Sequence, residues 1–379
     1  MSAKPDILMI DSDVQAVDVE RRQNLSEKYN LVYYDCDSTA QFIERLKPGG
    51  PYSEIMAIVR NGWHKIGRMA NQFPFNPEVV PHFPPTLRII CCSGHGYDAA
   101  DIKEITARRI WYCNTPNACT EAVANTAMSL VLDTFRYLTY AQWCARYDWM
   151  ASKQLGMEAV DPCGQSLGIV GLGDIGLAIA RKCEAALGMN IHYQGPRRKE
   201  AAEQTLMRRA VYHSSVEEMI PEVDCIVLAA PYTEETHHLL SKKEFSIAKE
   251  EGLRVVNIAR GKMIDESALL EALESKKVVG VGLDVHENEP VVNPGLRENW
   301  RVTLLPHIGV CSGTSWHNFE KMNLDNLEAF LKTGTPLTPV NMVSQDVAHQ
   351  QSDLSLCPAR PGFPKPSYRS ALRRRGKLL

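Results

Sequence analysis

Short apolar runs recur along the chain, each bounded by polar or turn-forming residues. Such runs are typical of strands that are buried on both faces of a parallel sheet. Helical stretches alternate with them, and this βαβ rhythm predicts an α/β fold. The predicted strands form two series, which cover 7–10, 31–34, 56–59, 88–91 and 110–113, and then 167–170, 190–193, 225–229, 254–257, 279–283 and 302–305.

Longer patterns indicate helices. An apolar stripe with helical spacing predicts one long helix over 120–147, and a similar stripe covers 316–332. The sequence SKKE at 241–244 is a capping box, which predicts that a helix begins there. Beyond about residue 341 the periodicity is lost, and the segment 341–379 is predicted to be a disordered tail.

The tail is basic, whereas the chain as a whole is not. It carries seven Lys or Arg and two Asp, a net charge of +5, so the rest carries −8 of an overall formal charge of −3. This balance does not favour nucleic acid or an anionic membrane as a partner. The tail itself is either solvated or binds an acidic partner.

Length and composition indicate a globular protein. The 379 residues are enough for two hydrophobic cores, and the hydrophobic (44%) and charged (23%) fractions are ordinary. The eleven cysteines include no C-x-x-C pair, which favours free thiols in a reducing compartment. The start, MSAKPDILMIDSD, predicts a first strand and not a signal peptide, and no apolar run has membrane-spanning length. We therefore expect a cytoplasmic protein.

A glycine motif follows the first strand of the second series. Gly171, Gly173 and Gly176 form G-x-G-x-x-G between strand 167–170 and a stretch with a helical apolar stripe. In this context the first glycine permits a tight turn, the second lets the backbone approach a pyrophosphate, and the third lets helix and strand pack closely. The motif predicts a dinucleotide site at the start of this helix.

The next strand ends in IHYQGPRRK, which bears on the choice of cofactor. An acidic residue here would bind the adenosine ribose hydroxyls, but the chain has Gln194, followed by Arg197 and Arg198. A neutral residue with nearby arginines accepts a ribose 2′-phosphate, so we predict NADP as the preferred cofactor and NAD as the alternative. A loop whose basic residues are only solvated is the other interpretation.

Three residues suited to catalysis lie at the ends of later apolar runs: Arg260, Glu289 and His307. Ligands bind beyond the carboxyl ends of parallel strands, so we expect the three side chains in one crevice. The set suits a carbonyl acid, with Arg to hold and polarise it, His to move a proton, and Glu to orient the His and keep it protonated. A purely structural role is disfavoured because buried charges need partners or function.

These motifs, together with CCSGHGYDAADI, NTPNACTEAVANTA, LAAPYTEETHHLL and VGLDVHENEP, resemble the D-isomer-specific 2-hydroxy acid dehydrogenases over residues 7–340. The forms LDVHENEP and THHLL are most similar to the fungal D-mandelate dehydrogenase and glyoxylate/hydroxypyruvate reductase branch. The resemblance implies two Rossmann-like domains with a cleft between them. A flavodoxin-like substrate domain would comprise 1–118 plus 312–340, and a dinucleotide-binding domain 119–311.

The resemblance also implies roles for single residues. Arg260 would bind the substrate carboxylate and carbonyl, His307 would donate the proton during keto acid reduction, and Glu289 would hydrogen-bond the imidazole. Implied substrate-binding positions are Arg60, Asn61, Gly62, Gly94 and Gly96. Implied cofactor-binding positions, besides the three glycines, Gln194 and the two arginines, are Asp174, Ile175, Pro231, Thr236, Ala259, Asp284 and His307. A capped strand end is the structural alternative for Asp284, and a helix start is the alternative for Thr236.

The implied activity is reduction of a 2-keto acid to a D-2-hydroxy acid by NAD(P)H. Glu289 argues against a formate dehydrogenase, which has Gln at this place, and Val310 departs from the small residue usual after PHIG. A nucleotide-sensing scaffold, as in the corepressors that share this fold, is the alternative function. The side chain of the substrate stays open, with a lean toward bulky groups, and Trp63 beside the substrate loop either favours them or packs between the domains.

Two further expectations concern partners and metals. The resemblance implies a homodimer formed through the dinucleotide-binding domains, with the helix 120–147 as the contact, although a monomer core would equally use its apolar stripe. No metal site is expected, because the histidines lack H-E-x-x-H or comparable ligand spacing.

Overall fold

The first strand series forms a five-stranded parallel sheet. The computed structural model describes residues 4–11, 18–61 and 74–343, called the described residues below. The strand order β2-β1-β3-β4-β5 is the flavodoxin-like order. The strands are β1 (Asp6–Asp11), β2 (Asn30–Tyr33), β3 (Ile55–Asn61), β4 (Ile89–Cys92) and β5 (Trp111–Cys113).

This sheet is covered on both faces, as its near-continuous apolar strands require. In β1 the alternate residues Ile7 and Met9 enter one buried cluster, whereas Leu8 enters another on the opposite face. The second cluster includes Phe42 of a flanking helix. The helices of this part are α1 (Val19–Lys28), α2 (Thr39–Leu46) and α3 (Ile102–Ala107).

The second series forms a seven-stranded parallel sheet with the order β12-β11-β10-β9-β6-β7-β8. This is the 3-2-1-4-5-6 order of dinucleotide-binding folds with one strand added at an edge. The strands are β6 (Ser166–Val170), β7 (Asn190–Gln194), β8 (Val211–His213), β9 (Cys225–Leu228), β10 (Leu253–Asn257), β11 (Val278–Leu283) and β12 (Val302–Leu304). The strand that sequence reasoning missed is β8, a three-residue edge strand without an apolar run.

The helices of the second half flank this sheet. The predicted capping box is confirmed, because Ser241 and Glu244 exchange side-chain and backbone hydrogen bonds at the start of a helix. The helices are α4 (Thr120–Arg136), α5 (Leu138–Tyr147), α6 (Leu155–Glu158), α7 (Asp174–Leu187), α8 (Glu200–Glu203), α9 (Val216–Met219), α10 (Lys242–Ser246), α11 (Glu266–Glu274), α12 (Pro294–Arg297) and α13 (Gly313–Thr333). Short 3₁₀ helices cover Val80–His82, Trp149–Gln154, Ile220–Glu222, Glu234–Thr236 and Gly261–Met263.

The single long helix predicted over 120–147 is wrong. The chain forms two helices, α4 and α5, because Tyr137 between them adopts the left-handed conformation, with φ 50° and ψ 44°. Tertiary contacts hold this residue: its hydroxyl donates to the carbonyl of Val279 at 2.8 Å, and its ring packs on Trp300. The Asp133 side chain accepts from the amide of Thr139, across the break, at 2.7 Å.

Helix α13 joins the cores of the two sheets. Near its start, Phe319 belongs to the buried cluster around β6 and β9. Farther along, Leu324 and Leu327 pack with Ile7 and Met9 of the five-stranded sheet. The helix predicted over 316–332 is therefore present, and it begins at Gly313.

The described chain ends at Val343, and the compact unit to which it belongs ends there too. Asn341 is part of that unit, since its side chain bonds to the amide of Tyr112 and the carbonyl of Ile110. The start predicted for the disordered tail, 341–379, is therefore too early, because Asn341 is packed in the fold, and the remainder, 344–379, lies outside the described residues. Among the residues described, no helix is both long enough and apolar enough to cross a membrane.

Candidate active site

A cavity of about 720 Å³ opens at the carboxyl ends of strands from both sheets. It is lined by the loop after β4 (93–99), by residues that follow β10 and β11, and by Trp316 and Phe319 of α13. Arg260, Glu289 and His307 all line it. The structure therefore brings the three strand-end residues into one cavity, where the topology of parallel sheets directs ligands.

His307 and Glu289 form a pair inside the cavity. The imidazole Nδ1 lies 3.0 Å from Glu289 Oε2 and 3.1 Å from Oε1. Both side chains are largely shielded, with exposed fractions of 22% and 15%. The amide of His286 donates to Glu289 Oε1 at 3.1 Å and so fixes the carboxylate. Because Nδ1 faces the carboxylate of Glu289, a proton exchanged with a ligand would pass through the other ring nitrogen, Nε2.

The turn that carries His307 is held by a buried carboxylate. His307 has a φ of 57°, a conformation uncommon outside glycine. The amides of Ile308 and Gly309 donate to the two oxygens of Asp284 at 2.7 and 2.8 Å. Asp284 lines the cavity as well, and each of its oxygens keeps a second lone pair for a ligand. The carboxylate of Asp284 therefore has a structural role in this turn, and its contact with a cofactor stays a prediction.

Arg260 is presented by a turn that Asn257 organises. The fully buried Asn257 side chain donates to the carbonyl of Arg260 at 2.9 Å and accepts from the amide of Ala259 at 3.0 Å. The carbonyl of Ala259 in turn accepts from Arg260 Nη1 at 2.8 Å. Sequence reasoning selected Arg260 and Ala259 but not Asn257, whose role depends on these contacts.

A second residue that sequence reasoning missed is Asp98. Its carboxylate contacts the guanidinium of Arg260, with Nη2 2.7 Å from Oδ1 and Nε 3.1 Å from both oxygens. Burial of Asp98 disfavours its charged form, but the hydrogen bonds and charge of Arg260 outweigh burial, and the pKa of Asp98 is lowered. The motif SGHGYD contains Asp98, yet nothing in the sequence pairs it with Arg260.

The loop after β4 contains Gly94 and Gly96, both expected at the substrate, and their backbone amides have different environments. The amide of Gly94 donates to the hydroxyl of Thr115 at 2.8 Å, so it is already engaged. The amides of His95 and Gly96, which line the cavity, donate no hydrogen bond within the described residues. Of the two glycines expected at the substrate, Gly96 therefore has an amide that could bind a carboxylate, whereas the amide of Gly94 is used within the fold, and the amide of His95 is a further candidate.

The residues of the expected substrate loop after β3 differ in whether they line the cavity. Arg60 is buried and lines the cavity. Asn61 is also buried, but its side chain is used within the fold, donating to Asp11 and accepting from Asn323, and it is not among the residues that line the cavity. Gly62 and Trp63 lie outside the described residues.

The glycine motif has the geometry of a dinucleotide cradle. Gly171 has a φ of +91°, and a Cβ on Gly176 would lie 2.0 Å from the carbonyl oxygen of Gly171. A Cβ on Gly173 would meet no atom within 4 Å, so space is open beside it. Helix α7 begins at Asp174 without a side-chain cap, which leaves its first amides, including that of Ile175, for an anion. These residues fit a pyrophosphate.

At the end of β7 the two arginines have different environments. Arg198 bonds through Nε and Nη2 to the carboxylate of Glu203 at 2.9 and 2.8 Å. Arg197 is exposed and has no ion pair within the described residues. The backbone carbonyl of Gln194 accepts from the amide of Gly171 at 2.9 Å, so Gln194 lies beside the glycine turn.

The loop after β9 is held by hydrogen bonds between its own residues. The Thr236 hydroxyl donates to the carbonyl of Pro231 at 3.0 Å and accepts from the amide of Thr233 at 2.7 Å. Thr236 thus completes a capping box on the 3₁₀ helix Glu234–Thr236, the structural alternative for this residue. Within the described chain no three His, Cys, Asp or Glu side chains come together in a way that could hold a metal ion.

Comparisons with known proteins agree with this geometry. The family described as "D-isomer specific 2-hydroxyacid dehydrogenase, NAD binding domain" matches residues 128–309. A 4-methyl-2-oxopentanoate reductase A from Aspergillus oryzae is 34% identical over 321 residues, which are 84% of this chain and 93% of that protein.

The chain belongs to the D-isomer-specific 2-hydroxyacid dehydrogenase family. It is an oxidoreductase of that class, an NAD(P)-dependent 2-hydroxyacid dehydrogenase. The resemblance stated from the motifs and the fold of two Rossmann-like halves are thereby confirmed.

Two solved structures of relatives are similar to the fold described above. The holo form of Rhodotorula graminis D-mandelate dehydrogenase is 31% identical and has a TM-score of 0.83, with 90% of this chain and 99% of that chain covered. An NADPH-dependent glyoxylate/hydroxypyruvate reductase from Sinorhizobium meliloti, in complex with NADP and malonate, is 30% identical with a TM-score of 0.69. That comparison covers 89% of this chain and 97% of the other.

Proposed function

We propose that this dehydrogenase reduces a 2-keto acid to the D-2-hydroxy acid, with NADPH as the preferred hydride donor. The observation that carries the proposal is the His307–Glu289 pair, which lies in the same cavity as Arg260. A cation, an imidazole and an orienting carboxylate are what a keto acid reduction requires.

The roles follow from the contacts. Arg260 binds the substrate carboxylate and keto oxygen through the end of its guanidinium fork, and the amides of His95 and Gly96 add donors for the carboxylate. His307 gives the proton from Nε2 to the keto oxygen, while Glu289 holds Nδ1. The bound nicotinamide supplies the hydride to C2 of the substrate.

The cofactor preference is supported by the charge around β7. Gln194 carries no charge that would repel a ribose 2′-phosphate, and the exposed Arg197 forms no ion pair with any residue that the structure describes. The cradle of Gly171, Gly173 and Gly176 would bind the pyrophosphate at the start of α7.

The substrate side chain is proposed to be branched or aromatic. Tyr97 and Trp316 are two large aromatic residues that line the same cavity as Arg260. Two relatives are named for acids of this kind, the 4-methyl-2-oxopentanoate reductase and the D-mandelate dehydrogenase. Small keto acids fill less of such a cavity and bury less surface against it.

The remaining expectations are proposals as well. The boundaries 1–118 plus 312–340 and 119–311 follow the division between the two sheets. A homodimer is supported by an aromatic surface on α5 and the segment after it, where Tyr147 is 72% exposed and Trp149 is 74% exposed.

The function is tested by initial rates of NADPH and NADH oxidation with glyoxylate, hydroxypyruvate, 4-methyl-2-oxopentanoate, phenylpyruvate and phenylglyoxylate. We expect turnover with NADPH that is fastest for a branched or aromatic acid, and a D-configured product on chiral chromatography. Nucleotide binding without turnover on any of these acids would instead favour the scaffold function. The intact His307–Glu289 pair argues for the reductase, because a scaffold does not need it.

A further inference from the structure

Arg260 is held from across the cleft. Asp98 belongs to the loop after β4 of the five-stranded sheet, whereas Arg260 follows β10 of the seven-stranded sheet. The two are 162 positions apart in sequence and joined by hydrogen bonds of 2.7 to 3.1 Å. About a third of each side chain is exposed, 35% for Arg260 and 31% for Asp98, so the pair lies in the cavity wall that a substrate would face.

The contacts of Arg260 account for only part of its donors. A guanidinium has five N–H groups. Asp98 accepts from Nε and from one N–H of Nη2, and the carbonyl of Ala259 accepts from one N–H of Nη1. Within the part of the chain that the structure describes, one N–H therefore remains on each terminal nitrogen, and this end of the planar fork matches a carboxylate or a keto oxygen.

The same contacts place the guanidinium against the substrate loop. A Cβ added to Gly96 would lie 2.0 Å from Arg260 Nη2, so only glycine leaves room for the guanidinium there. The amide of Gly96 donates no hydrogen bond within the described residues. Arg260 and the loop amides are thus brought side by side, as two sets of donors for a single carboxylate.

We propose that Asp98 is a positioning residue for the reduction: it fixes one edge of Arg260 so that the opposite end of the fork meets the substrate. This inference rests on the proposed keto acid reductase function. Without Asp98 the side chain of Arg260, which has several rotatable bonds, can leave the orientation in which both remaining donors face the substrate. Asp98 acts through Arg260 and needs no contact with the substrate itself.

The charge of Asp98 makes a second contribution. Burial opposes ionisation of this carboxyl, but Arg260 outweighs burial and lowers its pKa, and the charge of His307 acts in the same direction. Asp98 is therefore ionised at neutral pH and offsets part of the positive charge of Arg260 and protonated His307. It also repels the substrate carboxylate, so its removal weakens positioning and relieves repulsion at once. These two effects oppose each other in substrate binding, and only the first slows the chemical step.

The test compares Asp98→Ala and Asp98→Asn with the wild-type enzyme on its best keto acid. For Asp98→Ala we expect kcat and kcat/KM to fall together by about 100-fold, the size of effect that misplacing a catalytic group by about 1 Å produces. KM for the keto acid should change by less than about 3-fold because of the opposing effects. Asp98→Asn keeps an oxygen acceptor without the charge, and charge-assisted hydrogen bonds are roughly twice as strong as neutral ones. The kcat of Asp98→Asn should therefore exceed that of Asp98→Ala by about a tenth or more of the difference between Asp98→Ala and wild type.

A matched control and a double-mutant cycle separate positioning from folding. Asp101 lies on the same loop, where its side chain caps α3 by accepting from the amide of Glu104; Asp101→Ala should keep kcat within about 2-fold. In an Arg260→Lys background, Asp98→Ala should cost less than about 3-fold more, because Lys cannot make the forked contact that Asp98 orients.

The outcomes are distinguishable. A kcat for Asp98→Ala within 2-fold of wild type, or a rise in KM at unchanged kcat, would overturn the positioning role while leaving the reductase function standing. If Asp98→Ala lowers kcat by the full 100-fold in the Arg260→Lys background as well, the positioning role is also overturned, because Asp98 would then act independently of Arg260. If the wild-type enzyme reduces no keto acid, the proposed function fails and this inference fails with it.

Discussion

At the scale of single residues, the imidazole of His307 and the guanidinium of Arg260 each contact a carboxylate. Glu289 holds His307, and Asp98 holds Arg260. Identifying Arg260, Glu289 and His307 as candidates required only the motif order in the sequence. Finding Asp98 required the fold, because its partner is 162 residues away and the equally acidic Asp101 nearby serves only as a helix cap.

His307→Ala is expected to lower keto acid reduction by about 100-fold or more, the usual size of a general acid effect. The measurement is kcat with NADPH and the best keto acid. His317→Ala, a change at an exposed histidine of α13, serves as the control and should leave kcat within about 2-fold. A loss of only a few-fold for His307→Ala would mean that the proton comes from elsewhere.

Arg197→Ala is expected to reduce the ratio of kcat/KM for NADPH to that for NADH by about 10-fold or more, since a hydrogen bond to a charged group contributes about 1.5–3 kcal/mol. Arg198→Ala should have the smaller effect, because the guanidinium of Arg198 already bonds to Glu203. A larger effect from Arg198, or an unchanged ratio in both variants, would refute the assignment of the 2′-phosphate to Arg197.

The Arg198–Glu203 pair also predicts a pH dependence of stability. Hydrogen bonds from Arg198 and from the hydroxyl of Tyr193 lower the pKa of Glu203 to about 2 from an ordinary 4.5. A carboxyl with a lowered folded-state pKa stabilises the fold above its unfolded pKa, and this contribution is lost as the pH falls from about 4.5 to about 2. Glu203→Gln should therefore lower the free energy of unfolding at pH 7, and the difference from wild type should shrink by pH 3. Denaturant unfolding of both proteins at the two pH values measures it; a constant difference would contradict the assignment.

At the scale of elements, strand ends and helix starts position the chemistry. The apolar runs predicted the strands because a strand buried on both faces needs a continuous apolar sequence, as in Ile7, Leu8 and Met9. The same local reasoning failed for helix 120–147, since the stripe of apolar residues continues through Tyr137 while the backbone does not. The turn is decided by distant contacts of Tyr137 with Val279 and Trp300.

The glycine motif allows packing and ligand binding to be separated. Gly173→Ala adds a Cβ that meets no protein atom within 4 Å, so the free energy of unfolding should stay within about 0.5–1 kcal/mol of wild type. Binding of NADPH should weaken by about 10-fold or more, because the methyl group occupies the space through which the backbone approaches the pyrophosphate.

Gly176→Ala is the matched comparison in the same motif. Its Cβ would lie 2.0 Å from the carbonyl oxygen of Gly171, so helix α7 must move away from the strand, and the fold should lose roughly 1–3 kcal/mol. Denaturant unfolding and NADPH titration by fluorescence distinguish the two variants. Equal destabilisation by both would show that Gly173 is also tightly packed.

At the scale of the whole molecule, two sheets share one cavity, and helix α13 packs into the cores of both. An exposed aromatic region lies on α5 and the 3₁₀ helix after it. Its members include Trp143, Tyr147, Trp149 and Met150, which are 46%, 72%, 74% and 58% exposed. Exposed apolar surface of this kind is typical of a protein interface.

Trp149→Asp is therefore expected to convert a homodimer into a monomer at micromolar concentration, since an unpaired charge in a desolvated contact weakens association strongly. Sedimentation velocity of wild type and variant measures it. Met207→Asp, at another apolar residue that is 78% exposed, should leave the dimer intact. A wild-type monomer, or a variant that stays dimeric, would rule out this surface as the interface.

The sequence by itself determined the α/β class, most of the strands, the glycine cradle and the identity of the Arg, Glu and His set. Each of these is written in local patterns, because burial, turn formation and motif spacing involve residues that are neighbours along the chain. The cytoplasmic location and the disorder of the basic tail stay predictions that rest on the sequence alone.

Only the tertiary structure decided how those residues are held. It turned the Gly94 amide toward Thr115, assigned both oxygens of Asp284 to the turn of His307, and joined Asp98 to Arg260. The reason is physical: a polar group is satisfied by whatever donor or acceptor folding brings within about 3 Å. When that partner comes from a different strand end, no local pattern in the sequence records it.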